Sequence, residues 1–419
     1  MELYPHQVKA LAETEQFNRV GYFLDMGLGK TFVGSVKAVS FQIKTLLVCQ
    51  KSKIEDWIDH FKQYHPLTVF DLTVKGQLDE YVATIGNCIG IINYELIFRR
   101  PELLPLKNFT LMLDESSMIT NPTAKRTKFI HKMNPDNVIL LSGTPTGGKY
   151  EKLWSQLRLL GWDISKELFF KQYVITEWIE DGSGFKIPHI TGYKNVDRLK
   201  AKLKQHGCIF MKTEEVFDLP EKITIPVKVR NTKEFVRFMR DSIVTLPNGT
   251  ELIGDTALTK RLYARQLCGQ YNPAKLSAFQ SLIESTDDRL IVFYNFNEEL
   301  FRMKAVVEEM EKPISIVNGQ VKDLEAYETE SDSVTFVQYQ AGSKGLNLQK
   351  ANKIIYFTLP QGSEDFEQSM KRIHRIGQEK SCFYYLLMVQ NSVEEDILET
   401  LKTRKDYDDE LFKKYEAKY

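Results

Sequence analysis

The chain has 419 residues, enough for two domains of ordinary size that each bury a core. Lys plus Arg and Asp plus Glu both number 56, so the formal net charge is zero and a polyanionic partner has to be met by local basic patches rather than by bulk charge. The five cysteines form no CxxC pair, which argues against a disulfide framework or zinc site; no apolar run reaches membrane-span length and the N-terminus lacks a signal-peptide pattern, so the default expectation is cytosolic.

The first predicted element with chemistry is the strand "VGYFL", which runs into "DMGLGKT" and then into the helical spacing of "FVGSVKAVSFQ". A glycine-spaced turn feeding a helix presents backbone N–H groups at the helix N-terminus, where the helix dipole also favours an anion. Lys30 would then reach the β and γ phosphates of ATP, and the Thr31 hydroxyl would ligate Mg²⁺. The strict GxxxxGK[ST] pattern fails at Leu24, where its first glycine would stand, so a plain tight turn is the alternative.

Short apolar strands follow at 45, 89, 109 and 137, alternating with amphipathic helices in the rhythm of a parallel sheet covered on both faces. "LMLDES" puts Asp114 and Glu115 at the carboxyl end of a buried strand, where open α/β sheets bind ligands. Asp114 would hold Mg²⁺, partly through water, and Glu115 would position the attacking water or take its proton. A strand ending in a solvated turn is the plain alternative. "LLSGTP" ends a further strand; Ser142 and Thr144 either sense the state of the phosphate or form an ordinary turn.

The texture changes near Gly147. Residues 150 to 215 read as helical with a turn-rich excursion, "DGSGFKIPHITGY", and a basic stretch at Lys194, Arg198, Lys200, Lys202 and Lys204. "KITIPVKV" alternates like a strand, residues 231 to 270 read as mainly helical with a loop at "LPNGTEL", and a second strand and helix series begins at "RLIVFYNF". "EQSMKRIHRIGQEK" sets Arg372 and Arg375 at i and i+3, one side of a helix or helical turn, and paired guanidinium forks suit a transferring phosphoryl group. The expected division is residues 1–150 for a first lobe, 151–221 for its helical insertion, 222–275 for a linker and helical insertion, 276–400 for a second lobe and 401–419 for a charged C-terminal helix.

The ordered set "ELYPHQ", "DMGLGKT", "LDES", "LSGTPTGG", "YQAGSKGLNL" and "RIHRIGQ" resembles the Swi/Snf-type ATPases of helicase superfamily 2. "EKLWSQLRLLGW" also follows SGTP much as "ELWSLLNFL" does in that family. The resemblance, over roughly residues 3 to 400, implies an α/β fold of two RecA-like lobes with helical insertions that close on ATP and Mg²⁺. It implies that Gln7 reads the adenine edge, that Asp25, Met26, Gly27, Leu28, Gly29, Lys30 and Thr31 surround the triphosphate, and that Gly345, Leu346 and Asn347 match a motif contacting DNA backbone and nucleotide. Arg372 and Arg375 match the finger arginines, framed by Gln368 and Gln378. The chain departs from the pattern at Ser116 and Ser117, where DEAH has Ala and His, which puts the coupling between nucleotide site and second lobe in doubt. Ser343 replaces a glycine.

The implied activity is a DNA-stimulated ATPase that moves along duplex DNA, with a strand-separating DNA or RNA helicase and a non-hydrolysing ATP-dependent DNA clamp as alternatives. Lys125, Arg126, Lys128, Ser343 and Lys344 are the expected phosphate-backbone contacts. Compactness points to a bacterial or phage protein acting in the cytoplasm, or in the nucleus if eukaryotic, alone or with a separate targeting subunit, with a DNA-bound protein as a possible target and no membrane partner.

Overall fold

The computed structural model describes residues 2–180, 186–339 and 346–412, with side chains as far as residue 405. The chain divides into two compact units, residues 1–216 with 406–419, and residues 217–405. Both are α/β.

The first unit contains β1 (Arg19–Leu24), β2 (Lys44–Cys49), β3 (Thr68–Asp71), β4 (Cys88–Asn93), β5 (Phe109–Asp114), β6 (Asn137–Leu141), β7 (Val174–Glu180), β8 (Lys186–Tyr193) and β9 (Cys208–Met211). Its helices are α1 (Pro5–Glu13), α2 (Lys30–Ser40), α3 (Ile54–Tyr64), α4 (Lys75–Ala83), α5 (Lys125–Ile130), α6 (Leu153–Leu159), α7 (Lys166–Tyr173) and α8 (Val196–Gln205). Seven strands form one parallel sheet in the order β3-β4-β2-β5-β6-β1-β9. β2 and β4 are buried along their whole length, as strands covered by helices on both faces must be. Phe23, Leu46, Leu113 and Leu140 from neighbouring strands share one core with Leu153 and Leu157 of α6.

Register places the chemistry. Tyr22 of β1 and Asp114 of β5 both pair with Leu141 of β6, so β5 and β6 end level, β1 runs on to Leu24, and the three following loops emerge at the same edge of the sheet. β9, which closes the sheet beside β1, and the antiparallel β7–β8 hairpin both lie in the stretch expected to be helical with one turn-rich excursion. The hairpin is exposed on both faces, so its sequence lacks the alternation that marks a half-buried strand. Trp178 on it is 68% exposed.

The second unit contains β10 (Lys222–Val229), β11 (Ile243–Thr245), β12 (Glu251–Ile253), β13 (Leu290–Tyr294), β14 (Ile314–Val317), β15 (Lys322–Asp323), β16 (Val334–Gln338), β17 (Lys353–Tyr356) and β18 (Cys382–Val389). Its seven-stranded sheet runs β10-β18-β17-β13-β16-β14-β15 and is parallel except for the β14–β15 pair. β10 pairs with β18 from Lys222 to Val229, so the stretch expected to open a linker is a sheet edge. Pro226 fits there because an edge strand leaves one row of N–H groups unpaired. The "LPNGTEL" loop is the turn of the short β11–β12 hairpin. A buried Lys275–Glu394 ion pair joins the helix Pro273–Glu284 to the start of the helix Val393–Phe412.

Among the described residues no helix is long and apolar enough to cross a membrane, and no group of three or more His, Cys, Asp and Glu side chains could hold a metal ion. All five cysteines are buried free thiols.

Candidate nucleotide-binding site

Three loops at the carboxyl ends of β1, β5 and β6 build the candidate site. The first leaves β1 at Leu24 and enters α2 at Lys30. Asp25 continues the ladder to β9 by donating its N–H to Met211 O at 2.9 Å. Its carboxylate accepts from Met26 N at 2.8 Å and from the Thr213 hydroxyl at 3.2 Å, so Asp25 braces the turn from within. Gly27 and Gly29 take positive φ angles of 88° and 73°, which side chains strain to reach. At Gly29 a side chain is also excluded by contact, since a Cβ there would lie 2.2 Å from Gln7 Nε2.

Gln7 is buried. Its Nε2 donates to Leu28 O at 3.2 Å and its Oε1 accepts from Tyr4 N at 3.0 Å, while His6 Nε2 lies 3.0 Å from Leu28 O. Both side chains therefore fix the outer limb of the glycine turn. Among the described residues no side chain caps the N-terminus of α2; Phe32 N bonds Gly29 O at 3.0 Å, and the Lys30 and Thr31 amides are left to an incoming anion. Lys30 Nζ donates to Leu24 O at 3.1 Å and stands 3.3 Å from where a Cβ on Gly143 of the SGTP loop would be.

The second loop holds the acidic pair. Asp114 Oδ2 accepts a 2.8 Å bond from the indole Nε1 of Trp57 on α3. Burial and the neighbouring Glu115 charge raise the Asp114 pKa to about 6, against the opposing pull of the Trp57 bond, Lys30 and Lys53. Glu115 sits in the left-handed region at φ 51° and ψ 62°, a conformation that costs a non-glycine residue and concentrates at functional sites. Tyr94 OH donates to Asp114 O at 2.8 Å and helps to hold that backbone.

The third loop begins at Ser142, whose hydroxyl donates to Glu115 Oε2 at 3.3 Å. Among the described residues the buried Thr144 hydroxyl has no hydrogen-bond partner. An uncapped helix start, a glycine turn held at positive φ, a lysine bonded to the Leu24 carbonyl beside Asp114 and a buried Thr144 hydroxyl without a partner among the described residues together fit a triphosphate. Thr31 and Asp114 fit an Mg²⁺ that takes most of its ligands from water and phosphate.

In the second unit the two arginines expected to act alike differ. Both lie in the turns after the helix Ser363–Met370. Arg372 is 2% exposed; its Nη1 donates to Leu346 O at 3.1 Å, and its own carbonyl accepts from Leu348 N at 3.2 Å. It clamps the segment carrying Asn347. Arg375 is half-buried, and burial lowers its pKa. Gln378 Nε2 donates to the carbonyls of Gln349, Ala351 and Ile373, holding the same segment from the other side, and Gln368 bonds Glu364 on its own helix. Asn347 is exposed. Ser343, Lys344 and Gly345 lie outside the described residues.

Of the expected DNA contacts in the first unit, Lys125 and Lys128 are exposed on α5. Arg126 is turned inward, its Nε donating to Met118 O at 2.8 Å.

Residues 6–263, more than half of the chain, match the SNF2-related domain family. The chain belongs to the SNF2-related family. Residues 274–377 of this SNF2-related chain match the helicase conserved C-terminal domain. The ISWI chromatin-remodeling complex ATPase ISW1 of Saccharomyces cerevisiae is 24% identical, over 97% of this chain and 40% of that protein. The putative ATP-dependent helicase/translocase YwqA of Bacillus subtilis is 23% identical, over 92% of this chain and 46% of that protein. The chain thus spans less than half the length of these two curated relatives. A solved Sulfolobus solfataricus SWI2/SNF2 ATPase core in complex with dsDNA is 20% identical with a TM-score of 0.45, covering 98% of this chain and 92% of that one.

Sequence reasoning missed Trp57, Thr213 and Gln156 in this SNF2-related chain. Trp57 reads as one apolar position of an amphipathic helix, and Thr213 lies 188 residues from the aspartate it bonds. Only Gln156 carried a signal, a polar residue in the apolar run "LWSQLRLL".

Proposed function

We propose that this chain is an ATPase of helicase superfamily 2 whose turnover is stimulated by duplex DNA and drives movement along it. The observation that carries the reading is the arrival of the phosphate turn, the acidic pair and the SGTP loop at the carboxyl ends of the neighbouring strands β1, β5 and β6. Lys30 and the first-turn amides of α2 hold the triphosphate, with Gln7 and residues 25–29 shaping the turn beside it. Thr31 and Asp114 hold Mg²⁺, which neutralises phosphate charge. Glu115, steadied by Ser142, orients the attacking water and accepts its proton. Arg375 supplies the charge that meets the transferring phosphoryl group, and Arg372 keeps Leu346 to Leu348, with Asn347, in place. Lys125 and Lys128 grip DNA phosphates, and Ser343, Lys344 and Gly345 share in contacts to backbone and nucleotide. A separate targeting subunit or a DNA-bound protein in the path completes the reading.

A second reading, a strand-separating helicase, draws on the exposed β7–β8 hairpin with Trp178, an element of the kind that stacks on a parted base. The clamp reading would need a chain without the water-orienting carboxylate, and Glu115 is present. The deciding experiment measures ATP turnover with blunt duplex and with single strands, together with displacement of a triplex-forming strand and of a labelled duplex strand. Duplex-stimulated turnover with triplex displacement and no strand release is expected. Equal turnover without nucleic acid would overturn both motor readings, and release of the labelled strand would favour the helicase.

A further inference from the structure

The two serines that follow the acidic pair remove the histidine of the DEAH pattern, yet the turn they begin is not left without a link to the SGTP loop. Ser116 Oγ donates to Gln156 Oε1 at 2.7 Å, and Gln156 Nε2 donates to Pro145 O at 2.7 Å. Ser116 and Gln156 are both 0% exposed. Gln156 stands where the "ELWSLLNFL" pattern has leucine and Ser116 where DEAH has alanine. Two departures from the pattern thus meet as one hydrogen-bonded pair, and the pair ends on the third loop of the site.

The neighbouring residue of α6 strengthens the link. Ser155 Oγ donates to Ile119 O at 2.7 Å, so adjacent side chains of one helix hold both ends of the 3-10 turn Ser116–Ile119. Helix α5 is attached to the same turn directly through Arg126 and, through the residue after it, to the Ser155 that holds the turn. Arg126 Nε donates to Met118 O at 2.8 Å, and His131 Nε2, just past the end of α5, lies 2.9 Å from Ser155 Oγ. Burial and Arg158 lower the His131 pKa to about 4, so the ring is neutral near pH 7 and its Nε2–H is the donor to a hydroxyl that already gives its own proton to Ile119. Glu115 in turn accepts from Ser142. Polar groups this deeply buried lose their partners at full desolvation cost, so the turn and the SGTP loop cannot shift independently without breaking one of these bonds.

We propose that Gln156 is a positioning residue that ties the acidic turn to the SGTP loop, so that nucleotide at the site and DNA at α5 move both loops together. The inference rests on the ATPase reading above, its exchange arm on nucleotide binding alone and its stimulation arm also on DNA. Gln156→Leu, Ser116→Ala and the double variant are made in the full chain and each is shown folded by thermal unfolding. One readout is the ratio of ATP turnover with duplex to turnover without it. The other is amide hydrogen exchange over residues 115–130 and 142–148, with and without a slowly hydrolysed ATP analogue.

In the parental chain the analogue should slow exchange in both segments. In Gln156→Leu it should slow only 142–148, and the stimulation ratio should fall about fivefold or more, the lower end of ordinary intersite coupling. The double variant should be no worse than Gln156→Leu, since both changes break one unit. Parental protection of both segments in Gln156→Leu, or an unchanged stimulation ratio, would overturn the proposal. A parental chain that duplex fails to stimulate would sink the motor reading, while the exchange pattern would still decide on Gln156.

Discussion

Trp57 sets the geometry of the carboxylate that would hold the metal. Its indole N–H is a donor to Asp114 from another element, and a hydrogen bond to a charged buried group is worth about 1.5–3 kcal/mol. Trp57→Phe keeps the ring packing and removes that donor, so the apparent affinity for Mg²⁺ in turnover should weaken about tenfold with a smaller change in kcat. Because burial and Glu115 raise the Asp114 pKa to about 6, kcat/KM at low Mg²⁺ should fall as pH drops below about 6. Trp57 holds that pKa down, so Trp57→Phe should move the acid limb to higher pH; an unmoved limb would show that the bond does not govern the carboxylate. For stability the sign is opposite: a carboxylate with its folded pKa raised favours the fold at low pH and loses that contribution as pH rises from about 4 to about 6. Lys30→Ala and Glu115→Gln should each lower ATP turnover by about 10²-fold or more, measured at saturating Mg²⁺ and duplex.

Helix α5 makes the sharpest claim at the level of elements. It holds half-buried Arg126 by its Nε on Met118 O and leaves Lys125 and Lys128 in solvent, so the two lysines carry the test of DNA contact here. Replacing both by alanine should reduce the salt dependence of duplex binding by about two phosphate contacts, a slope change near 0.9 for each, with sequence preference unchanged. Arg126→Ala should instead lower the thermal midpoint, because it frees a main-chain carbonyl. The glycine turn, the acidic pair and the SGTP loop were legible in the sequence because each carries an unusual residue immediately after an apolar strand. β7–β8 was not legible, since a hairpin wet on both faces has no apolar period, and β9 was too short to stand out between α8 and the Thr213 turn. Arg372 and Arg375 look equivalent by spacing alone. Only the fold shows that one anchors Leu346 while the other stays half-buried.

At the scale of the whole molecule, acid should act on the first unit through its histidines. Burial lowers the pKa of His60, beside His65, and of His131, beside Arg158, to about 4 each. A histidine kept neutral by the fold protonates more readily once unfolded, so the stability it contributes is present above about pH 6.5 and is lost as pH falls towards about 4. All four tryptophans, Trp57, Trp154, Trp162 and Trp178, belong to residues 1–216, so indole emission reports on that unit alone. Its thermal midpoint should decline between about pH 6.5 and about 4, with the histidines outweighing the opposite trend of Asp114. A flat midpoint over that range would show that the imidazoles are not held neutral. The α/β class and the rhythm of both sheets could be read from apolar runs. The edges were legible only in part: β10 alternates like a strand but its place in the sheet comes from long-range pairing with β18, and β9 carries no local mark of its pairing with β1.

The position of β1 has a consequence for biosynthesis. Its neighbours are β6 and β9, and Gly21 pairs with Cys208, so β1 leaves the ribosome well before β9 and waits for it. Until Thr213 has emerged, Asp25 lacks its hydroxyl partner and the phosphate turn is without its inner support. A nascent chain shorter than this therefore presents an open strand border and a half-built turn, and pairing over so long a separation is slow. Translation itself thereby sets when the nucleotide loop matures.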